Sequence, residues 1–246
     1  IHAPGFRKMA NLVKTRFFGR IVGFKLDFGW WVFDGITAPA TRTSWNYQKS
    51  SGGGMIFDMV PHWRYVVETL MGPIRCLVAS SWTAQSQRAD EEGSKFDVDV
   101  EDSCSIIIEL ENGAFGTITS SWAQRVPGND LVRLQIDGTL GSAENGLRTC
   151  RAQSLSDTPS ISGFNLGAYS DNSDTQMDYN NDWTEVPETG QYKNPYRVGW
   201  EQFLSHVIAD TPMKSDYTAG IRDVQLAEAC IKSAETGRWI EMGPTR

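Results

Sequence analysis

Asp58 and His62 stand four residues apart in Met55-Ile56-Phe57-Asp58-Met59-Val60-Pro61-His62, directly after the glycine run Ser51-Gly52-Gly53-Gly54. On a helix this spacing puts both side chains on one face, close enough to serve one bound molecule. A neutral histidine, with a reference pKa of about 6.5, accepts a proton near neutral pH. An adjacent aspartate orients the imidazole or accepts a hydrogen bond from a neighbouring hydroxyl. The pair therefore suits removal of a proton from a bound alcohol. Spacing alone equally allows a surface or capping pair. Pro61 either kinks the helix or places His62 near its first turn.

Other residue types add to this reading. Trp45, Asn46, Tyr47 and Lys49 form an aromatic and polar cluster just before the glycines, which suits a sugar or cyclitol held by stacking and hydroxyl hydrogen bonds. The plainer alternative is a loop anchored by Trp45. Trp63 and Arg64 are weaker candidates for substrate contact. Gly53 and Gly54 mark either a flexible turn or a tight backbone approach to a cofactor or substrate. The acidic run Asp97, Asp99, Glu101, Asp102 is expected to be a solvated face, and no metal site is expected from it. His2 and His206 are read as structural or solvent-facing.

Composition narrows the classes. Of 246 residues 40% are hydrophobic and 22% charged, which is ordinary for a globular protein with a sizeable core. The net charge of -7, with scattered Lys and Arg, argues against a nucleic-acid surface and favours a small neutral or polar substrate. Cys76, Cys104, Cys150 and Cys230 lie far apart with no C-x-x-C pair, so neither a zinc site nor a disulfide framework is expected. Reduced thiols are expected in a cytoplasmic protein. No apolar run approaches the roughly 20 residues of a membrane span. The sequence begins at Ile1 rather than Met, so a fragment, a trimmed product or part of something longer is expected. No nucleotide-binding glycine fingerprint follows a hydrophobic strand, so cofactor chemistry at Asp58 and His62 would need a segment from outside this sequence.

The elements that must position these residues follow from periodicity. An amphipathic helix is predicted over 4–18 and a strand over 20–30. A loop is predicted over 34–50, and a helix from Gly54 to about Leu70 that Met71-Gly72-Pro73 ends. Strands are predicted over 75–82, 104–110, 116–122 and 131–137, with another beginning over 141–145. Asn112-Gly113 signals a hairpin between the second and third of these. Residues 154–193 read as a long loop with a strand at 183–186. Helices over 196–209 and 218–236 close the chain, with Val198, Phe203, Leu204 and Val207 near one face of the first. In the second, Ile221, Val224, Leu226, Ala227 and Ile231 do the same. The pattern indicates an α+β fold with an open, predominantly antiparallel β-sheet and helices on one face.

Read in order, these features resemble the C-terminal domain of the Gfo/Idh/MocA oxidoreductases, named for glucose-fructose oxidoreductase, inositol dehydrogenase and a rhizopine-catabolism protein. The residues that carry the resemblance are Pro4-Gly5-Phe6-Arg7, Phe18-Gly19-Arg20-Ile21 and Gly52-Gly53-Gly54 with Asp58 and His62. Further along they are Glu109-Leu110-Glu111-Asn112-Gly113 with Gly116, Asp137-Gly138-Thr139 with Gly141-Ser142, and Tyr196-Arg197 with Phe203. Arg222-Asp223 and Ser233-Ala234-Glu235-Thr236-Gly237 close it. The resemblance spans essentially all 246 residues. It implies a dihydrodipicolinate-reductase-like α/β domain and assigns Asp58 and His62 as the catalytic Asp and His. It implies that residues 1–246 form a substrate-binding and oligomerisation domain, that the N-terminal dinucleotide-binding domain and its Glu-Lys-Pro lysine are missing, and that NAD or NADP is bound mainly there. Gly53 and Gly54 are the candidate cofactor contacts in this chain. The expected activity is hydride transfer between the nicotinamide and a sugar, inositol or related polyol, with this chain inactive alone and forming a homo-oligomer through its open sheet. The alternative is a non-catalytic ligand-sensing or scaffold protein on the same fold.

Overall fold

Alternating burial builds the sheet. The computed structural model describes residues 2–30, 44–127, 130–158, 183–188 and 190–243. Helix α1 (Pro4–Lys14) leads into β1 (Ile21–Gly29), in which Phe24, Leu26 and Phe28 are buried and Lys25 is exposed. Helix α2 (Met55–Met71) comes next, followed by β2 (Ile74–Trp82) and a small separate hairpin of β3 (Gln87–Ala89) and β4 (Lys95–Asp97). Then come β5 (Ser103–Leu110), β6 (Phe115–Ser121), β7 (Val132–Gly138), β8 (Gly141–Asn145), β9 (Cys150–Ser154) and β10 (Thr184–Glu185). Helices α3 (Pro195–Ala209) and α4 (Tyr217–Thr236) and strand β11 (Ile240–Glu241) end the described chain.

The strands form a nine-stranded sheet in the order β10-β9-β8-β7-β1-β6-β5-β2-β11. Among the described residues only β1 and β6 run parallel; every other pairing is antiparallel. One row across the centre, Ala79, Ile106, Ile118, Leu26 and Leu134, lies in register and is buried. Helices α1, α2 and α4 pack over the sheet, α1 on β8 and β9, α2 on β2, β5 and β6, and α4 on β2 and β11. The next positions, Val78, Ile107, Thr117, Lys25 and Gln135, alternate to the opposite face. No helix among the described residues is long and apolar enough to cross a membrane.

The differences from the predicted elements have local causes. Helix α1 stops at Lys14 rather than Phe18 because the Thr15 hydroxyl donates to the Asn11 and Leu12 carbonyls and Arg16 takes a left-handed φ of 60°. In α4 the buried side chains are Arg222, Leu226, Ala227, Ala229, Cys230 and Ser233, while Ile221 and Val224 are exposed, so the packed face is rotated from the apolar one. Helix α3 buries none of its residues. Pro61 lies in the second turn of α2 and the helix continues through it to Met71. Strands β3, β4, β9 and β11 are additions to the predicted set; each is at most five residues long and offers too little pattern to read. Residues 34–43 of the predicted loop, and 159–182 and 189 of the later one, lie outside the described residues.

Candidate functional site

The glycine turn aims α2. Gly52 and Gly54 take φ of 75° and 124°, where an L side chain is strained. A Cβ on Gly53 would lie 2.5 Å from the Asn46 carbonyl oxygen and 2.6 Å from that of Trp45. The Gly53 N–H donates to Gln48 O at 3.0 Å and that of Gly54 to Asn46 O at 2.9 Å. The close approach at Gly53 is thus to the chain's own backbone, and at Gly54 to the Glu101 carboxylate.

On α2, Asp58 sits in the first turn, where the helix dipole favours a carboxylate, and is partly buried. His62 follows one turn later and is exposed. The residues around them are locked. Trp63 is buried, donates from Nε1 to Ser120 Oγ at 3.0 Å, and packs its ring 5.0 Å from that of Phe28. Arg64 is buried in an ion-pair network that joins α2 to α4. It donates to Asp223, to Glu68 at 2.6 Å and to the Ala219 carbonyl at 3.2 Å. Arg222 donates to the same Glu68 at 3.2 Å and to the Gly243 carbonyl at 2.8 Å. Burial works against the Arg64 charge, but the hydrogen bonds to Asp223 and Glu68 outweigh it and hold the guanidinium above its usual range. Trp63 and Arg64 therefore hold the helix rather than present themselves to a substrate.

The predicted substrate cluster divides. Trp45 is 50% exposed and the Lys49 side chain also faces solvent. Asn46 and Tyr47 are buried instead, and Tyr47 is at 0% exposure, with its ring edge-on to Trp122 at 5.4 Å and the Arg88 guanidinium 4.4 Å from its centroid. Packing beneath the turn takes precedence over stacking on a ligand at these two positions.

The acidic run is only partly a solvated face. Asp97 and Asp99 are exposed, yet Asp99 accepts the Lys49 N–H at 2.7 Å. Glu101 accepts the Ile56 N–H at 3.0 Å, and burial raises its pKa against that bond. Asp102 is fully buried with Arg88, which it pairs at 2.9 Å, and also accepts from Ala84 N, Gln85 N and Ser103 Oγ. Sequence reasoning missed this role because every partner except Ser103 is distant in the chain. The alternation of acids with Val98 and Val100 was the available signal of a half-inward segment.

Grooves lie on both sides of α2. One, of about 620 Å³, is lined by His2, Arg7, Tyr65, Thr69, Glu201 and Lys214 among others. The other, of about 360 Å³, includes Lys49, Gly53, Phe57, Trp82, Glu101 and Glu235. Asp58 and His62 line neither. Among the described residues no group of three or more His, Cys, Asp or Glu is arranged to hold a metal. The space beside Gly53 is filled by the Trp45 and Asn46 carbonyls and that beside Gly54 by the Glu101 carboxylate. All four cysteines are free and buried, and burial pushes Cys104 and Cys150 up to about 12, far from a reactive thiolate. The His206 ring Nδ1 lies 2.8 Å from the Thr211 carbonyl, a local structural contact.

Comparison with known proteins bears on this geometry. Residues 6–144 match the family described as the GFO/IDH/MocA C-terminal domain. A D-xylose dehydrogenase of Paenarthrobacter nicotinovorans is 37% identical over 246 residues, which cover 98% of this chain and 62% of that protein. Among solved structures, a levoglucosan dehydrogenase in complex with NADH and L-sorbose superposes with a TM-score of 0.71 at 19% identity, over 96% of this chain and 63% of that one. An NAD-binding oxidoreductase from Klebsiella pneumoniae does so with a TM-score of 0.74 at 17% identity, over 99% and 65%. At such identities the structures speak for the fold. The chain spans less than two thirds of the length of each.

Proposed function

The chain belongs to the Gfo/Idh/MocA family through its C-terminal domain, and on that premise we propose that it is the substrate-binding and assembly part of an NAD(P)-dependent oxidoreductase acting on a sugar or related polyol. The observation that carries this reading is the exposed His62 one turn beyond the partly buried Asp58, on a helix whose other side is fixed by Trp63 and Arg64. A base must be held still to take a proton productively, and this helix is held on that side. The similarity to a sugar dehydrogenase supports the substrate class.

In this reading His62 accepts the proton of the substrate hydroxyl and Asp58 orients either the imidazole or a neighbouring hydroxyl. The nicotinamide, held by the segment beyond this chain, supplies the hydride chemistry. Trp45 and Lys49, the two surface members of the cluster, offer an aromatic face and a cation to a hydroxylated ligand. The chain alone is expected to turn nothing over. Its open sheet face carries Lys25, Arg133 and Glu144 beside an exposed apolar pair, Phe115 against Trp239 at 5.9 Å, and this face is the proposed homo-oligomer contact.

His62→Ala in the full-length protein is expected to lower the rate of sugar-dependent nicotinamide reduction by about 10²- to 10⁴-fold. Nicotinamide affinity should hardly change. Turnover near that of the parent would sink the assignment.

A further inference from the structure

We propose that Glu101 is a positioning residue for Asp58 and His62, acting as an N-cap supplied to α2 from elsewhere in the chain. The proposal rests on the reading that those two residues handle the substrate proton. The first N–H groups of a helix have no partner within it, and a side chain at the capping position usually takes one. Here that position is Gly54, which has no side chain and makes no side-chain cap. Both missing bonds come from one residue 45 positions away in sequence from Ile56. The Ile56 N–H donates to Glu101 Oε1 at 3.0 Å and the Met55 N–H to the Glu101 carbonyl at 3.1 Å.

The glycine and the glutamate fit as a pair. A Cβ on Gly54 would lie 2.8 Å from Glu101 Oε1 and 3.3 Å from both Cδ and Oε2, so the carboxylate occupies the room a side chain there would need. Glu101 has little freedom to drift. Its neighbour Asp102 is anchored by Arg88, two backbone N–H groups and Ser103, and the Asp102 carbonyl accepts from the Trp122 N–H at 2.9 Å. Two residues earlier, Asp99 holds the Lys49 N–H, at the opposite end of the glycine turn. Residues 99–102 thus grip the turn where it enters and where it becomes α2. The direction of the first turn of α2, which carries Asp58, is set by that grip, and His62 lies one turn further along the same helix.

Rate depends steeply on such placement; a displacement of about 1 Å can cost roughly a hundredfold. The test is steady-state kinetics of the full-length enzyme with sugar and nicotinamide, comparing Glu101→Ala, Glu101→Gln and His62→Ala. Glu101→Ala is expected to lower kcat about 10- to 100-fold with the nicotinamide KM unchanged. Glu101→Gln keeps a carbonyl acceptor for Ile56 and is expected to recover most of that loss. Should Glu101→Ala not fold, Glu101→Asp gives the same readout, because a side chain one methylene shorter withdraws the carboxylate from the Ile56 N–H without touching the glycine turn. Equal losses in the Gln and Ala variants would overturn the capping role. Unchanged kcat in Glu101→Ala beside an inactive His62→Ala would overturn the positioning role alone, whereas a fully active His62→Ala would overturn the site reading beneath it.

Discussion

Helices α2 and α3 are of similar length and both carry several large apolar side chains, but they are held in opposite ways. In α2 nine residues are buried, and its ties run to β6 through Ser120, to α4 through Asp223 and Arg222, and to residue 101 at its start. In α3 none is buried, and Trp200 and Ile208 remain 64% and 81% exposed. Its bonds are local: Asn194 caps Tyr196 and Arg197, Lys193 and Arg197 pair with Glu201, and the Ser205 hydroxyl donates to the Glu201 carbonyl. Apolar content therefore does not by itself bury a helix; a complementary surface does. Proton-handling residues belong on the first kind of helix, where side-chain direction is set by contacts with α4 and with β2, β5 and β6.

Substitutions can break this contrast at several points. The largest expected effect is from Arg64→Ala, which takes the cation from Asp223 and leaves Glu68 with Arg222 alone, and should cost about 2–4 kcal/mol of stability. Denaturant unfolding of this chain measures it, and a loss under about 1 kcal/mol would mean the network does not hold α2. Next is Trp63→Phe, which keeps the ring against Phe28 but strands the buried Ser120 hydroxyl; about 1 kcal/mol is expected by the same measurement. The smallest is Trp200→Ser on α3, where the change should stay within about 0.5 kcal/mol. A loss as large as that of Arg64→Ala would show that α3 is as firmly packed as α2 and remove the distinction.

Element order was legible from periodicity, and helix α2 and the paired strands β2, β5 and β6 fall within a residue or two of their predicted ends. The Asn112-Gly113 turn was legible too: Gly113 has a φ of 80°, and the Asn112 side chain accepts from Ala114 N while donating to Met71 O. Long-range partners were not. Tyr47 looked like a ligand contact because an aromatic beside polar residues has the same signature whether it stacks on a sugar or beneath an arginine. The rotated face of α4 was missed because Arg222, Ala229, Cys230 and Ser233 pack where larger apolar residues were expected.

The sequence by itself determined where the longer helices and strands lie, that a glycine turn precedes α2, and that Asp58 and His62 share one face of α2. Those outcomes depend on spacing, backbone freedom and side-chain type, all of which are local. Only the tertiary structure decided which side of each helix is buried, that Asn46 and Tyr47 lie inside, and that residues 99–102 take hold of the glycine turn. Those depend on donors and acceptors tens of residues apart, and burial is a property of what a surface meets rather than of the residues it carries.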